Sequence, residues 1–331
     1  MNTQFNLSKK GLVLGIDGGG SKTACVLMNL EGHIVAKREG VSTDYRQHGI
    51  NAVQTTIHQL RDECLADVGA DISALRAVCI GIPNYGENAQ MDYMLRTCLE
   101  SIFPRFVLVN DVHVGWAGSL ALKSGINLVS GTGSIAFGVD TNGKSARSGG
   151  WSERIGDEGS SYWLAIRGMQ LFTKQSDYRV SRGPLYNIIK EKFALKDDFE
   201  FIAKVENDYL PYRNKVASFH YLVAEAARQG DDEVIRLYDE AAEELTGLVR
   251  SILSQLQFPE EGTIVSYSGG TFRVGDVLLN PLKHRLEAMG LQLQPQIYPP
   301  VVGALLLAVR DLEPRFLDDV LKGLAKERHA L

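Results

Sequence analysis

Apolar residues fall along this chain in two rhythms, short unbroken runs and stripes spaced by three and four, and the two rhythms alternate. A first run, residues 12–16, leads into the glycine-rich stretch GIDGGGSKT, then into the short β-branched and apolar stretch TACVLMN, the turn LEGHI and a third short run, IVAKRE. Runs of this length bounded by glycine turns predict strand, turn, strand, turn, strand. Farther on, Ile50, Val53, Ile57, Leu60, Cys64 and Leu65 recur at helical spacing. AVCIGI then reads as a buried strand, residues 91–102 as a helix and FVLVN as another strand, with a helix after it.

The same order returns about 115 residues later. In NLVSGTGSIAFGVDTNGKSARSGG, residues 127–150, Leu128 and Val129 precede Gly131 and Gly133; a second apolar run over 135–139, an Asn142-Gly143 turn and a third short strand follow. A helix is expected from about Ser160, then a long helical region to about Gln257, the strand TIVSYSG, a helix near 274–289, the strand LQLQPQI and a helix from Val301. The chain therefore reads as a duplicated α/β unit with a large helical insertion in the second copy. The expected boundary falls at 120/121, with the insertion over about 174–257. Residues 174–211 mix charge with short apolar runs and are the least regular part; with helices over 215–229 and 232–257 they read as a cap or a subunit interface. Val234, Leu237, Tyr238, Ala241, Leu245, Leu248, Val249, Ile252 and Leu256 form one stripe of a long amphipathic helix.

Composition narrows the function classes. With 331 residues, 44% hydrophobic and 23% charged, the chain is of ordinary globular make-up, and two domains are expected. A net charge of -5 without a basic patch argues against a nucleic-acid or anionic-membrane partner. The opening MNTQFNLSKKG lacks the apolar core of a signal peptide, and no later segment offers the roughly 18 uninterrupted apolar residues of a membrane span, so a cytoplasmic location is expected. Cys25, Cys64, Cys79 and Cys98 form no C-x-x-C pair and are expected as buried, reduced thiols. The seven histidines show no metal-ligand spacing, so no structural metal is expected, and His113 is read as a packing or helix-surface residue.

The first glycine stretch fits neither common nucleotide loop. Ser21 intervenes where a Walker loop needs Gly-Lys, and the third glycine of a dinucleotide fingerprint would fall on Thr23. Both of those loops open a helix, whereas this one joins two strands, leaving backbone N–H groups to face an anion.

Duplicated hairpin-plus-βαβα halves, each with a glycine turn, resemble the actin-like ATPase and sugar-kinase superfamily. More narrowly, GIDGGGSKT, NDVHVGWAG, SGTGS and SGGWSERIGDEGSSYW are similar to the N-acetylglucosamine kinase family and its BadF-type bacterial relatives. The resemblance implies a duplicated ribonuclease H-like (actin-like ATPase) α/β fold, two lobes around a central cleft, and an ATP- and Mg²⁺-dependent transfer of phosphate to a small-molecule sugar. That sugar would be a hexosamine, N-acetylglucosamine phosphorylated on its 6-hydroxyl. It also implies a homodimer formed through the helical insertion.

In such a transfer the protein positions an acceptor hydroxyl, clamps the phosphates and offsets developing charge. The first clamp would be Gly18, Gly19, Gly20, Ser21, Lys22 and Thr23, the second Gly131, Thr132, Gly133 and Ser134, and the resemblance adds Gly269 and Gly270 for adenosine. Asp17 beside a phosphate site calls for a cation, Mg²⁺, although a turn-capping aspartate fits the same position. Asp111, at a strand-to-helix switch, is the implied base that takes the proton of the sugar hydroxyl; it also stands where a helix N-cap would. Gly150, Trp151, Asp157 and Glu158 offer a flat aromatic and convergent carboxylates to a sugar, with packing for Trp151 and helix capping for Asp157 as the alternatives. Asp44 would be a further sugar contact where the family usually has asparagine; an ionised carboxylate only accepts hydrogen bonds, which leaves glucosamine or another hexose open. Asn84, with Tyr85, could reach the same substrate. Two rival functions remain at this point. One is an electron-transfer ATPase of the BadF type, which would need cysteines in a cluster-ligand context; the other is a sugar sensor that binds nucleotide without transferring phosphate.

Overall fold

The computed structural model describes residues 11–259 and 262–327; the first ten residues, the bulk of the opening stretch read above for a signal peptide, lie outside them. The chain forms two compact units, one running to Lys123 and resuming at Gln296, the other spanning Ser124–Pro295.

The first unit carries the strands β1 (Leu12–Gly18), β2 (Lys22–Asn29), β3 (Ile34–Val41), β4 (Leu75–Ile82) and β5 (Val107–Asn110) in the order β3-β2-β1-β4-β5. The hairpin pairs are antiparallel and β1-β4-β5 are parallel. Helices α1 (Tyr45–His48), α2 (Ile50–Asp67), α3 (Ala89–Glu100) and α4 (Asp111–Ser119) complete the first copy. Leu12, Leu14 and Ile16 are fully buried in one cluster with Val53, Ile57 and Leu60 of α2. The opposite face of β1 is buried as well, which is why its apolar run is unbroken rather than alternating.

The second unit repeats this plan. β6 (Gly125–Ser130), β7 (Ser134–Val139), β8 (Ser145–Gly149), β9 (Ile264–Ser268) and β10 (Gln292–Pro295) lie in the order β8-β7-β6-β9-β10, with the same two antiparallel and two parallel pairings. Identical strand order in both units is the duplicated α/β architecture expected from the repeated hairpins. Between β8 and β9 run α5 (Ser161–Ser176), α6 (Pro184–Lys192), α7 (Glu200–Asp208), α8 (Arg213–Ser218), α9 (His220–Arg228) and α10 (Asp232–Leu253); α11 (Asp276–Glu287) lies between β9 and β10.

Three expectations shift. The irregular stretch after residue 174 contains two nine-residue helices, α6 and α7, whose turns are too few to show a period; they are held by an aromatic cluster of Phe172, Phe193, Phe201 and Phe219. The long helix α10 ends at Leu253, although Leu256 is still buried beyond it. The terminal helices α12 (Pro300–Leu312) and α13 (Leu317–Glu327) group with the first unit, across the boundary drawn at 120/121. The reason lies in α12 itself, PVVGALLLAV, which is apolar on every side and is buried against α4, β1 and β4. Cys25, Cys64 and Cys79 are buried as expected; Cys98, on α3, is only partly so. No helix among the described residues is long and apolar enough to cross a membrane.

Candidate active site

In the first unit, the turn between β1 and β2 is closed by the Gly19 amide donating to the Lys22 carbonyl at 2.9 Å, while the Ser42 hydroxyl donates to the Gly19 carbonyl at 2.8 Å. Around the position a side chain would take at Gly20 there is nothing within 4 Å, so the tip is open to a ligand. Ser21 is exposed at this tip. Gly18 is enclosed, since a Cβ there would fall 2.1 Å from Thr43 Oγ1. Thr23 is fully buried and donates to Thr43 at 3.1 Å, so it braces the turn from beneath. Lys22 is exposed and paired with Glu39 of β3.

Asp17 sits at the end of β1, opposite Gly81 of β4. It keeps a sliver of accessible surface, yet protein packs around it closely enough that burial, reinforced by Asp111, pushes its carboxyl up from 3.8 to about 8, with Lys22 offsetting part of the rise. Two carboxyl groups crowded in this way favour either a shared proton or a cation.

Asp111 is the first residue of α4, but it does not cap that helix. Asn110 does, its side-chain oxygen accepting the Val112 amide at 3.1 Å while its Nδ2 donates to the Tyr85 carbonyl at 2.7 Å. The capping alternative for Asp111 is thereby filled by its neighbour. Close packing sets where α4 begins: a Cβ on Gly81 would stand 2.8 Å from Val114, and Gly303 of α12 lies against the backbone of Val114 and Gly118. His113 packs against Trp116 with the rings tilted by 57° and their centroids 5.6 Å apart, and burial, with Arg310 adding to it, pushes its imidazole down to about 4, so it is neutral at physiological pH.

Asp44 caps α1 and is held from three directions. Its Oδ1 accepts the Arg46 amide and the Asn84 Nδ2, both at 2.9 Å, and its Oδ2 accepts the Gln47 side chain at 2.7 Å. Asn84, at φ 64°, also accepts from the Arg46 guanidinium at 3.2 Å, so both ends of its amide are engaged with protein. Asn84 thus orients Asp44. Tyr85 packs on the first unit's core, with its hydroxyl 3.5 Å from Arg96.

In the second unit three separated stretches meet. The Gly131 carbonyl accepts the Ser161 amide at 2.8 Å and the Thr271 hydroxyl at 3.2 Å, and Ser161 and Thr271 share a 2.8 Å hydroxyl contact. The Ser130 hydroxyl donates to the Gly159 carbonyl at 2.9 Å, and Ser134 donates to the Glu158 carbonyl at 2.6 Å. Gly269 adopts φ 111°, and a Cβ there would come within 2.1 Å of the Ser130 carbonyl. Around the Cβ positions of Gly131 and Gly270 there is open space, the nearest atom to the former being the Gly270 nitrogen at 3.9 Å. SGTGS, GDEGS and SGGT therefore build one backbone-lined surface, with Thr132 half-buried at its edge.

Asp157 lies beneath this surface, 3% exposed and at φ 59°. Its Oδ1 accepts the Ser134 amide at 3.4 Å and its Oδ2 the Arg213 guanidinium at 3.1 Å, and a Cβ on Gly133 would meet that Oδ2 at 2.6 Å. Burial nevertheless pushes its carboxyl up, against the lowering effects of the Ser134 amide and Arg213. Ser160, not Asp157, caps α5. Trp151, next to Gly150 at φ 70°, exposes 67% of its surface, which excludes a core-packing role.

Of the residues expected around the second turn, Asp157 is a strut below it, while Trp151 is exposed to solvent. Sequence reasoning missed Asn110 as the cap, Thr271 as a turn partner, and Arg213, which lies at the edge of the stretch that showed no period. Asn110 had a signal in its Asn-Asp pair before a helix; Arg213 had none.

The chain matches the BadF/BadG/BcrA/BcrD ATPase family over residues 14–308. It is 29% identical over 260 residues, 78% of this chain and 84% of the relative, to an N-acetylmuramic acid/N-acetylglucosamine kinase of Clostridium acetobutylicum. It is 25% identical to an N-acetyl-D-glucosamine kinase of Dictyostelium discoideum, over 91% of this chain and 98% of that one. Among solved structures, a protein of Chromobacterium violaceum, assigned by inference as an N-acetylglucosamine kinase, superposes with a TM-score of 0.73 at 26% identity, covering 90% and 99% of the two chains. A glucokinase of the ROK family from Streptomyces griseus shares the fold, with a TM-score of 0.55 at 18% identity over 91% of this chain and 100% of that one. With the repeated strand order, both glycine turns and this near-complete match in agreement, the chain belongs to the BadF/BadG/BcrA/BcrD ATPase family.

Proposed function

We infer that this protein is an ATP-dependent sugar kinase of the N-acetylglucosamine kinase type, transferring the γ-phosphate to the 6-hydroxyl of a hexosamine. The observation that carries the reading is Asp111: it opens α4 at a strand-to-helix switch beside Asp17, whose carboxyl it pushes up, while Asn110 supplies the helix cap. In this reading Asp111 accepts the proton of the attacking hydroxyl. The open amides around Gly20 and around Gly131, Thr132 and Gly133 receive phosphate oxygens, and the Gly269-Gly270 backbone receives the adenosine. Trp151 lies against the apolar face of the sugar, with Glu158 near it.

A divalent cation fits Asp17, because the carboxyl is held protonated only by burial and by a neighbouring carboxylate, and a cation reverses both effects. Mg²⁺ held there would offset the negative charge of the phosphates. Names carried by the relatives support the sugar-kinase reading, and homodimerisation through the insertion belongs to it as well.

Asp44 favours a variation on the substrate. Fixed by Arg46, Asn84 and Gln47, it presents only acceptor capacity, which suits an ammonium or hydroxyl better than an acetamido carbonyl. The test is ADP release measured with ATP and Mg²⁺ against glucosamine, N-acetylglucosamine, N-acetylmuramic acid and glucose, followed by identification of the product. Release that depends on one of these sugars is expected. Release that no sugar accelerates would overturn the kinase reading in favour of an ATPase, and nucleotide binding without turnover would favour a sensor.

A further inference from the structure

Arg213 opens α8 in the helical insertion, and its guanidinium reaches the second glycine turn. Its Nε lies 2.8 Å from Glu153, its Nη2 lies 3.1 Å from Asp157, and the same Nη2 stands 3.1 Å from where a Cβ on Gly133 would be. The two carboxylates do different things. Glu153 belongs to the open loop that carries Trp151. Asp157 is buried, and its other oxygen accepts the Ser134 amide that closes the turn.

An exposed ion pair contributes little, and the Arg213 side chain is itself 48% exposed. Its partner is not exposed, however, and a buried carboxylate stripped of its cation is left with one long amide bond at 3.4 Å. Protonation at Oδ2 would leave the Ser134 amide with a neutral carbonyl oxygen in place of a carboxylate, a weaker acceptor that holds the turn less firmly. Gly133 has no side chain to resist, because the space a Cβ would need is filled by the Asp157 carboxylate.

We propose that Arg213 is a positioning residue for phosphoryl transfer: acting through Asp157, it holds the turn over residues 131–134 in the geometry in which its amides receive phosphate. This rests on the reading of that turn as a phosphate clamp. It makes the helical insertion part of the nucleotide site, through one guanidinium, and not only a packing element.

The test combines calorimetric binding of Mg²⁺ with a non-hydrolysable ATP analogue, steady-state kinetics and a double-mutant cycle on Arg213→Met and Asp157→Asn. Arg213→Met is expected to weaken analogue binding and raise KM for ATP by about ten- to thirtyfold, the scale of one lost charge-assisted hydrogen bond, with KM for the sugar changed less than about twofold. Arg213→Lys should recover part of the loss. The double variant should be no weaker than the weaker single one, because both remove one contact. Glu153→Gln should bind the analogue as the parent does.

Parent-like nucleotide affinity in Arg213→Met would overturn the proposal. So would a rise confined to the sugar KM, or losses that multiply in the double variant. If Arg213→Met does not fold, the Lys variant and Asp157→Asn carry the comparison, and parent-like affinity in both would overturn it equally. A parent protein that binds no analogue would overturn the phosphate-clamp reading and this proposal together, whereas a parent that binds beside an unaffected Arg213→Met overturns only the role of Arg213.

Discussion

Replacing Asp17 with asparagine should stabilise this protein at neutral pH while disabling it. Burial first, then Asp111, push the Asp17 carboxyl from 3.8 to about 8. In the unfolded chain the same group ionises at its ordinary value. Between these two values the folded state holds one more proton than the unfolded state, so folding stability contributed by this group is complete below about pH 4 and falls as pH rises, by about 1.4 kcal/mol per unit, until it levels off near pH 8. The full sum at pH 7 is on the order of 4 kcal/mol; the accessible edge of Asp17 lets solvent screen part of it, which brings the expected penalty to roughly 2–4 kcal/mol. The asparagine side chain has the same shape and no charge to bury.

Urea unfolding followed by circular dichroism in a chelator, at several pH values between 4 and 8, measures this directly. Carboxyl groups away from the Asp17–Asp111 pair titrate alike in both proteins and cancel in the difference, and the remaining slope belongs to the pair. Asp17→Asn should match the parent near pH 4 and exceed its stability progressively toward pH 8, and added Mg²⁺ should close the gap by stabilising the parent alone. Stability curves that stay parallel across this range would refute the argument, since they would mean that Asp17 ionises in the folded protein as it does in water.

Four further outcomes follow from the same geometry. Asp111→Asn should lower turnover by about 10²–10⁴-fold in a protein that still folds, because Asn110 keeps the helix cap; a coupled ADP assay and a circular-dichroism spectrum check both halves. Asp44→Asn, which swaps an acceptor for a group that also donates, should shift kcat/KM toward the acetylated hexosamine and away from the free amino sugar, measured as a ratio on one preparation. Gly269→Ala combines φ 111° with a 2.1 Å approach to the Ser130 carbonyl, so it should cost at least about 3 kcal/mol in denaturant unfolding. Gly270→Ala, where nothing lies within 4 Å, should be tolerated in folding and weaken nucleotide binding.

How much of this was legible in the chain depends on how far apart the cooperating residues stand. Strand runs, both glycine turns and the duplication show because each is a local pattern of five to nine residues, and the matching strand orders of the two sheets follow from them. The allegiance of α12 does not show, since an all-apolar helix says that it will be buried and nothing about where; its place comes from glycine-to-backbone contacts with α4 that only the fold creates. The same limit governs the site. Asp111 stands out at a strand end, but whether it is a cap turns on its neighbour's rotamer, and Asn110 settles that only in three dimensions. In the sequence Asp157 reads as facing a sugar because a carboxylate near a tryptophan suits a carbohydrate. Its positive φ turns it inward instead, under Gly133, where it meets an arginine 56 positions along the chain. A carboxylate that the family resemblance assigns to the substrate thus supports the backbone of the second glycine turn, and the buried end of the Arg213 pair gives an otherwise irregular insertion a reason to dock there.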